Sequence, residues 1–287
     1  MKASKKFIGL RWTLGASLAL LAVAPLAHAE KKEFKYTVGA GAMVAIVNQK
    51  GGITVRPSTG RQVIISATPA SAKVEVNATQ TGNRITVRTQ SVGKASGDEA
   101  RVDYDVQVPA DVNLSIGSGN GEVKIENLRG NVTVDAEEGQ VAISGASGGI
   151  VQVQSLSAAV TLTNVQKSRV QLASAGGNIQ LTNVSGPSVT AKSTTGAITY
   201  TGDFAGGGNY LLTNHSGDIG VTLPLSASID LTARSIQGSV ENDFPLQKPA
   251  HAGFAMKEGK ALAGTSNAGS SSVELRSFSG RIRVKKQ

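Results

Sequence analysis

Gly177-Asn178-Ile179-Gln180-Leu181-Thr182-Asn183 is followed nineteen residues later by Gly196-Ala197-Ile198-Thr199-Tyr200-Thr201-Gly202. In both, a glycine opens the phrase, two apolar residues alternate with polar ones, and asparagine or glycine closes it. The phrase also occurs at Gly121–Asn127, Gly139–Gly145 and Ala158–Asn164, with weaker copies from Gly217, Gly238, Ser271 and Gly280. A recurrence of this period is the signature of a stacked repeat architecture.

Working outward, apolar pairs recur at Val123/Ile125, Val132/Val134, Val141/Ile143, Val151/Val153, Val160/Leu162 and Val170/Leu172, and onward through Ile229/Leu231. Side chains alternate across a strand, so each pair places both apolar groups on one face. Two such strands make one coil. Glycine and asparagine at the corners fit a chain that must turn sharply, because glycine reaches positive φ freely and asparagine tolerates it. A β-sandwich also uses short strands, but it prefers longer strands and irregular loops. The near-constant rung length favours an all-β solenoid over residues 110–287.

Residues 30–109 alternate without the strict repeat. Val44-Ala45-Ile46, Ile53-Thr54-Val55, Val63-Ile64-Ile65, Val74-Glu75-Val76, Ile85-Thr86-Val87 and Val102–Val108 all read as strands separated by turn signals. This region is expected to be a less regular cap on the solenoid, since terminal repeats are commonly atypical. The rhythm fails again over about 243–272, which reads as an inserted loop carrying Phe254 and Met256.

Residues 1–29 have the three parts of a cleavable export signal: Lys2, Lys5, Lys6 and Arg11, then an apolar run from Leu14, then Ala27-His28-Ala29. The apolar run is shorter than a bilayer crossing requires. Four of the basic residues behind the net charge of +9 fall there, leaving a mature chain near +5. That charge is spread out and aromatics are scarce, which argues against a nucleic-acid partner. With no cysteine, disulfides and thiolate metal sites are excluded. Lys285 and Lys286 suit a strand edge kept from pairing. The expected address is exported, either periplasmic or at the cell surface.

Several segments resemble one family. Val106-Gln107-Val108-Pro109-Ala110-Asp111 leads into Leu114-Ser115-Ile116, Ser216-Gly217-Asp218-Ile219 runs to Leu223-Pro224, and Gly238-Ser239-Val240 precedes Ser277-Phe278-Ser279-Gly280-Arg281-Ile282-Arg283-Val284. Together they are similar to the DUF4097 "putative adhesin" family. The resemblance implies a right-handed single-stranded β-helix outside the cytoplasm, and it carries no catalytic motif.

Some β-helices are polysaccharide lyases or hydrolases that use carboxylates on one face. Asp103 and Asp105, two apart on one strand, are the best candidates here, ahead of Asp98/Glu99, Glu137/Glu138, Asp218 and Asp230. None recurs from coil to coil as a ladder, and charge on one side of an alternating strand is ordinary for a solvated face. His215 and His251 lie in separate segments, and a zinc site would need three or four ligands. No cofactor is expected.

The leading expectation is a non-catalytic interaction module that binds a glycan or a cell-envelope protein through a flat polar face. Thr163, Gln180, Thr182, Thr199 and Thr201 are its candidate ligand residues, because repeat proteins recognise partners through such extended surfaces. The alternatives are a carbohydrate-active enzyme using Asp103 and Asp105, and a structural protein whose solenoid ends self-associate.

Overall fold

In a computed structural model of the chain, residues 30–204, 207–247 and 258–287 are described. The expected export signal lies outside these residues, as do His251, Phe254 and Met256.

Among the described residues there are twenty-two strands and one short 3-10 turn at Gly97–Ala100. The N-terminal part comprises β1 (Lys32–Thr37), β2 (Met43–Lys50), β3 (Ile53–Pro57), β4 (Gln62–Pro69), β5 (Val74–Thr81), β6 (Arg84–Ser91) and β7 (Val102–Val108). Two long strands follow, β8 (Asn113–Glu126) and β9 (Val132–Ser144), each running round a corner to serve both faces of a coil. The regular coils are β10 (Ile150–Ser155) with β11 (Ala159–Thr163), β12 (Arg169–Ser174) with β13 (Ile179–Thr182), β14 (Ser188–Ser193) with β15 (Ile198–Thr201), and β16 (Asn209–Asn214) with β17 (Ile219–Leu223). The chain ends with β18 (Ile229–Ser235), β19 (Val240–Asn242), β20 (Ala261–Ser266), β21 (Ser271–Ser277) and β22 (Ile282–Lys286).

The winding produces two faces. On the first, the in-register column Val44, Leu114, Val132, Val151, Val170, Val189, Tyr210, Val273 and Leu231 points inward. On the second, Val55, Ile125, Ile143, Leu162, Leu181, Tyr200, Val221 and Val284 do the same. All of these are buried. A third inward row comes from the corner after the second face: Leu128, Ala146, Val165, Val184 and Phe204. The apolar pairs therefore line one narrow interior, as the repeat predicts.

The order of coils in space is not their order in sequence. The first coil, β2 with β3, lies between β8 on one side and β6 with β7 on the other. At the far end β21 pairs with both β16 and β18, and β22 pairs with both β17 and β19. The last coil of the chain is thus slotted one place in from the end. Strand β22 is consequently interior, contrary to the edge expected from Lys285 and Lys286; only those two residues extend past its pairing with β19.

Antiparallel strands close the two ends. Strand β4 pairs antiparallel with β7 and β1 with β4, and β5 with β6. At the other end β20 runs antiparallel to β18. Part of the stretch read as a loop over 243–272 is therefore strand. Its residues Ala261-Leu262-Ala263-Gly264 are small or weakly alternating, so the period-two signal is faint.

Corner chemistry follows two rules. Asn127, Asn164 and Asn183 adopt φ of 52°, 54° and 52°, and Gly145 and Gly202 replace them in equivalent corners with φ of 66° and 131°. This is the positive-φ role expected of that slot. Gly121 and Gly139 open their phrases with positive φ, 157° and 102°, but the later opening glycines are different: Gly177, Gly196, Gly217, Gly238 and Gly280 have ordinary φ. Each is there because a Cβ would run into the backbone carbonyl of the neighbouring coil's corner residue. Close stacking, rather than backbone freedom, selects glycine in those five positions.

Just before that glycine column stands an inward polar column of Asn48, Ser118, Ser155, Ser174, Ser193, Asn214, Ser277 and Ser235. Most of its members are buried. Ser155 Oγ donates to the Ala158 carbonyl (2.7 Å) and Ser174 Oγ to that of Gly177 (2.9 Å). Asn214 accepts from the Gly217 N–H (2.9 Å) and donates across to the Gly196 carbonyl (2.7 Å). Ser155, Ser174 and Asn214 thus satisfy corner carbonyls and N–H groups at these buried corners, whereas the hydroxyls of Ser118 and Ser193 have no partner among the described residues.

Candidate functional site

The five residues singled out from sequence all fall on the outer surface of the second face. Thr163, Thr182 and Thr201 are successive members of one column, which continues to Thr222 and Lys285. Gln180 and Thr199 stand in the neighbouring column between Thr161 and Gly220. Gln180 and Thr199 are exposed, and the other three are half-buried. Among the described residues, none of the five side chains makes a hydrogen bond within the chain. The structure thus brings them together as a row of uncharged polar groups at strand spacing, about 4.8 Å apart.

Asp103 and Asp105 lie on the same outer surface, toward the N-terminal end. The register from Asp105 runs through Thr54, Lys124 and Ala142 to Thr161. Both carboxylates are engaged by neighbours. Asp103 sits 3.0 Å from Arg101 Nη2 and accepts from the Gly52 N–H at 2.8 Å, while Asp105 lies 3.5 Å from Arg56. They serve to anchor a turn and to pair with basic neighbours. His215 stacks on Phe278 with centroids 4.9 Å apart and rings 4° from parallel. Among the described residues, no group of three or more His, Asp or Glu side chains is placed to hold a metal ion.

The first face carries a feature that sequence reading missed. A groove of about 700 Å³ runs across β2, β8, β9, β10, β12 and β14, close to the corner that follows them. Gly117 and Ala173 form low points, Asp135, Gln154 and Lys192 stand along it, and Leu156 borders it at 62% exposure. A second hollow, lined by Gln152, Gln154, Gln171, Thr190 and Lys192, adjoins it on the same face. Small residues at outward positions, Gly117 and Ala173, were the only available signal. They become a groove only when register sets them in one column with Val47, Asp135, Gln154 and Lys192.

Strands coiled into one interior, with flat polar outer faces, define an all-β solenoid. The chain belongs to the Toastrack DUF4097 family, which it matches over residues 44–285. Solved structures similar to it include a "putative adhesin" from Bacteroides fragilis, at 13% identity and a TM-score of 0.39, covering 90% of this chain and 98% of that one. Another "putative adhesin", from Parabacteroides merdae, is 12% identical with a TM-score of 0.33, covering 90% and 97%. A "putative cell adhesion protein" from Clostridium sporogenes is 12% identical with a TM-score of 0.29, covering 90% and 100%. Likeness at this level carries no argument about what this chain binds. No curated protein matches the sequence.

Among the described residues, no helix is long and apolar enough to cross a membrane.

Proposed function

We propose that the protein is an exported, non-catalytic β-solenoid of the cell envelope or cell surface that binds an extended partner, a glycan or an envelope protein, through one flat face. One observation carries this reading. Uncharged polar side chains recur in register from coil to coil, and among the described residues the side chains of Thr163, Gln180, Thr182, Thr199 and Thr201 have no hydrogen-bond partner. Repeat proteins use extended surfaces of this kind for recognition. The export reading rests on residues 1–29, whose basic, apolar and small-residue segments fit a leader.

A glycan array and a pull-down from envelope extract, both with residues 30–287, test the proposal. Specific retention of a glycan or of one envelope protein is the expected result. Turnover of a polysaccharide, lost on combining Asp103→Ala with Asp105→Ala, would overturn it in favour of an enzyme.

A further inference from the structure

The groove on the first face combines four properties. First, it is long. Six consecutive strands contribute to it, so at a strand spacing of about 4.8 Å its length is about 24 Å.

Second, its backbone is already spent: every strand crossing it is paired on both sides in parallel register. A peptide laid across this face would find no free ladder of N–H and C=O groups, which is what strand addition at a sheet edge relies on. Recognition must come from side chains alone.

Third, exposed amides stand in and beside it. Gln154 lines the groove, Gln152 on the same strand and Gln171 on the next coil line the adjoining hollow, and among the described residues their amides have no partner in the chain. Each amide offers both donors and an acceptor, a combination that suits hydroxyl and acetamido groups. Leu156 and Val47 add exposed apolar surface at 62% and 38%, suited to the C–H face of a sugar ring or to a methyl group.

Fourth, the charges do not form a field of one sign. Asp135 and Glu137 are offset by Lys192 three coils away along the stack. A polyanion or polycation would meet repulsion somewhere along the groove, whereas a neutral chain would not.

We infer that this groove binds a linear, uncharged glycan lying along the solenoid axis, with about one sugar ring per coil. The inference rests on the proposed interaction role, names its ligand class, and moves its site from the second-face threonine row to the first-face groove. It places the ligand on the face opposite the Thr163, Thr182 and Thr201 column.

The test is calorimetric titration of residues 30–287 with chito-oligosaccharides and cello-oligosaccharides, from the disaccharide to the octasaccharide. Affinity for one series should rise by roughly tenfold or more up to about five rings, the number of strand spacings in the groove, and then level off. Ala173→Trp, which fills the groove from an exposed position, and Gln154→Ala should each weaken binding by roughly tenfold or more, with melting temperatures unchanged. Thr79→Trp, exposed on β5 and away from the groove, should bind as the parent does.

If Ala173→Trp binds normally and Thr182→Trp does not, the placement is overturned while the broader glycan reading stands. If the disaccharide binds as tightly as the longer chains, the axial fit is overturned. If neither series binds and only an envelope protein is retained in the pull-down, the glycan is overturned and the interaction role is kept.

Discussion

A Cβ placed on Gly217 would stand 2.6 Å from the carbonyl oxygen of Gly196 on the neighbouring coil, and that same oxygen accepts the Asn214 amide at 2.7 Å. Corner spacing is therefore set by backbone meeting backbone, with no room for even the smallest side chain. Gly217→Ala should lower stability by about 1–3 kcal/mol, the usual range for an overfilled interior. Gly220 is the matched control, since a Cβ there meets nothing within 4 Å. Gly220→Ala should leave stability unchanged or raise it by about 0.5–1 kcal/mol. Urea denaturation of the two variants checks this, and equal costs would remove the stacking explanation.

The inward polar column makes a contrasting pair of serines. Ser174 is buried and its hydroxyl donates to the Gly177 carbonyl at 2.9 Å, whereas the equally buried hydroxyl of Ser193 has no partner among the described residues. Ser174→Ala should cost about 1 kcal/mol, since it strands a buried acceptor. Ser193→Ala removes a buried group that gains nothing from its burial, and it should be neutral or stabilising. Differential scanning calorimetry on both variants reads the sign directly.

Alkali should unfold the protein before its buried tyrosines ionise. Tyr200 stacks on Phe204 at 4.1 Å, and its hydroxyl lies 2.8 Å from the Val184 carbonyl oxygen and 2.9 Å from that of Asp203. Burial raises the pKa of Tyr200 far above the ordinary phenol value, and it also raises those of Tyr104 and Tyr210. The unfolded chain loses these protons near pH ~10 while the folded chain keeps them, so the stabilisation is complete below about pH 10 and falls as pH rises. The slope is about 1.4 kcal/mol per pH unit for each tyrosine that stays protonated in the fold. Phenolate absorbance followed alongside circular dichroism should show the buried tyrosines titrating together with loss of structure. Full titration with the fold intact would refute it.

Deleting residues 271–287 should do more than shorten the stack. It removes β21 and β22, through which β18 and β19 reach β16 and β17. Both sides of that gap lose their pairing partner, exposing buried Leu212, Val221 and Leu231 at once. The expected outcome is an aggregating or largely unfolded product by circular dichroism and light scattering. A soluble product with the parent's melting temperature would contradict the interior position of the last coil.

The repeat itself was legible because its cause is local. Val160 with Leu162, and Ile179 with Leu181, alternate within a few residues, and the corner asparagines mark where the chain must turn. The family resemblance also read correctly. What stayed hidden depends on which coil lies next to which. Nothing near Ser271 in the sequence says that β21 enters between β16 and β18. The third inward row was missed because Leu128, Val165 and Val184 stand singly after their corners rather than in alternating pairs. The groove was missed for the same reason as the coil order: Gly117 and Ala173 are unremarkable one at a time, and only register makes them neighbours of Gln154 and Lys192.

The interleaving of the two termini bears on how such a molecule can come into being. A rod whose units follow one another simply could zip up progressively as it leaves a ribosome or threads a pore. Here the opening at the far end is filled only by the final seventeen or so residues, and the N-terminal coil waits for β8 before both its sides are sealed. Contacts so distant in sequence slow folding, because a long loop must close before they form. Completion is therefore a late event of the whole chain, and until it happens unsealed strands stay open to stray partners.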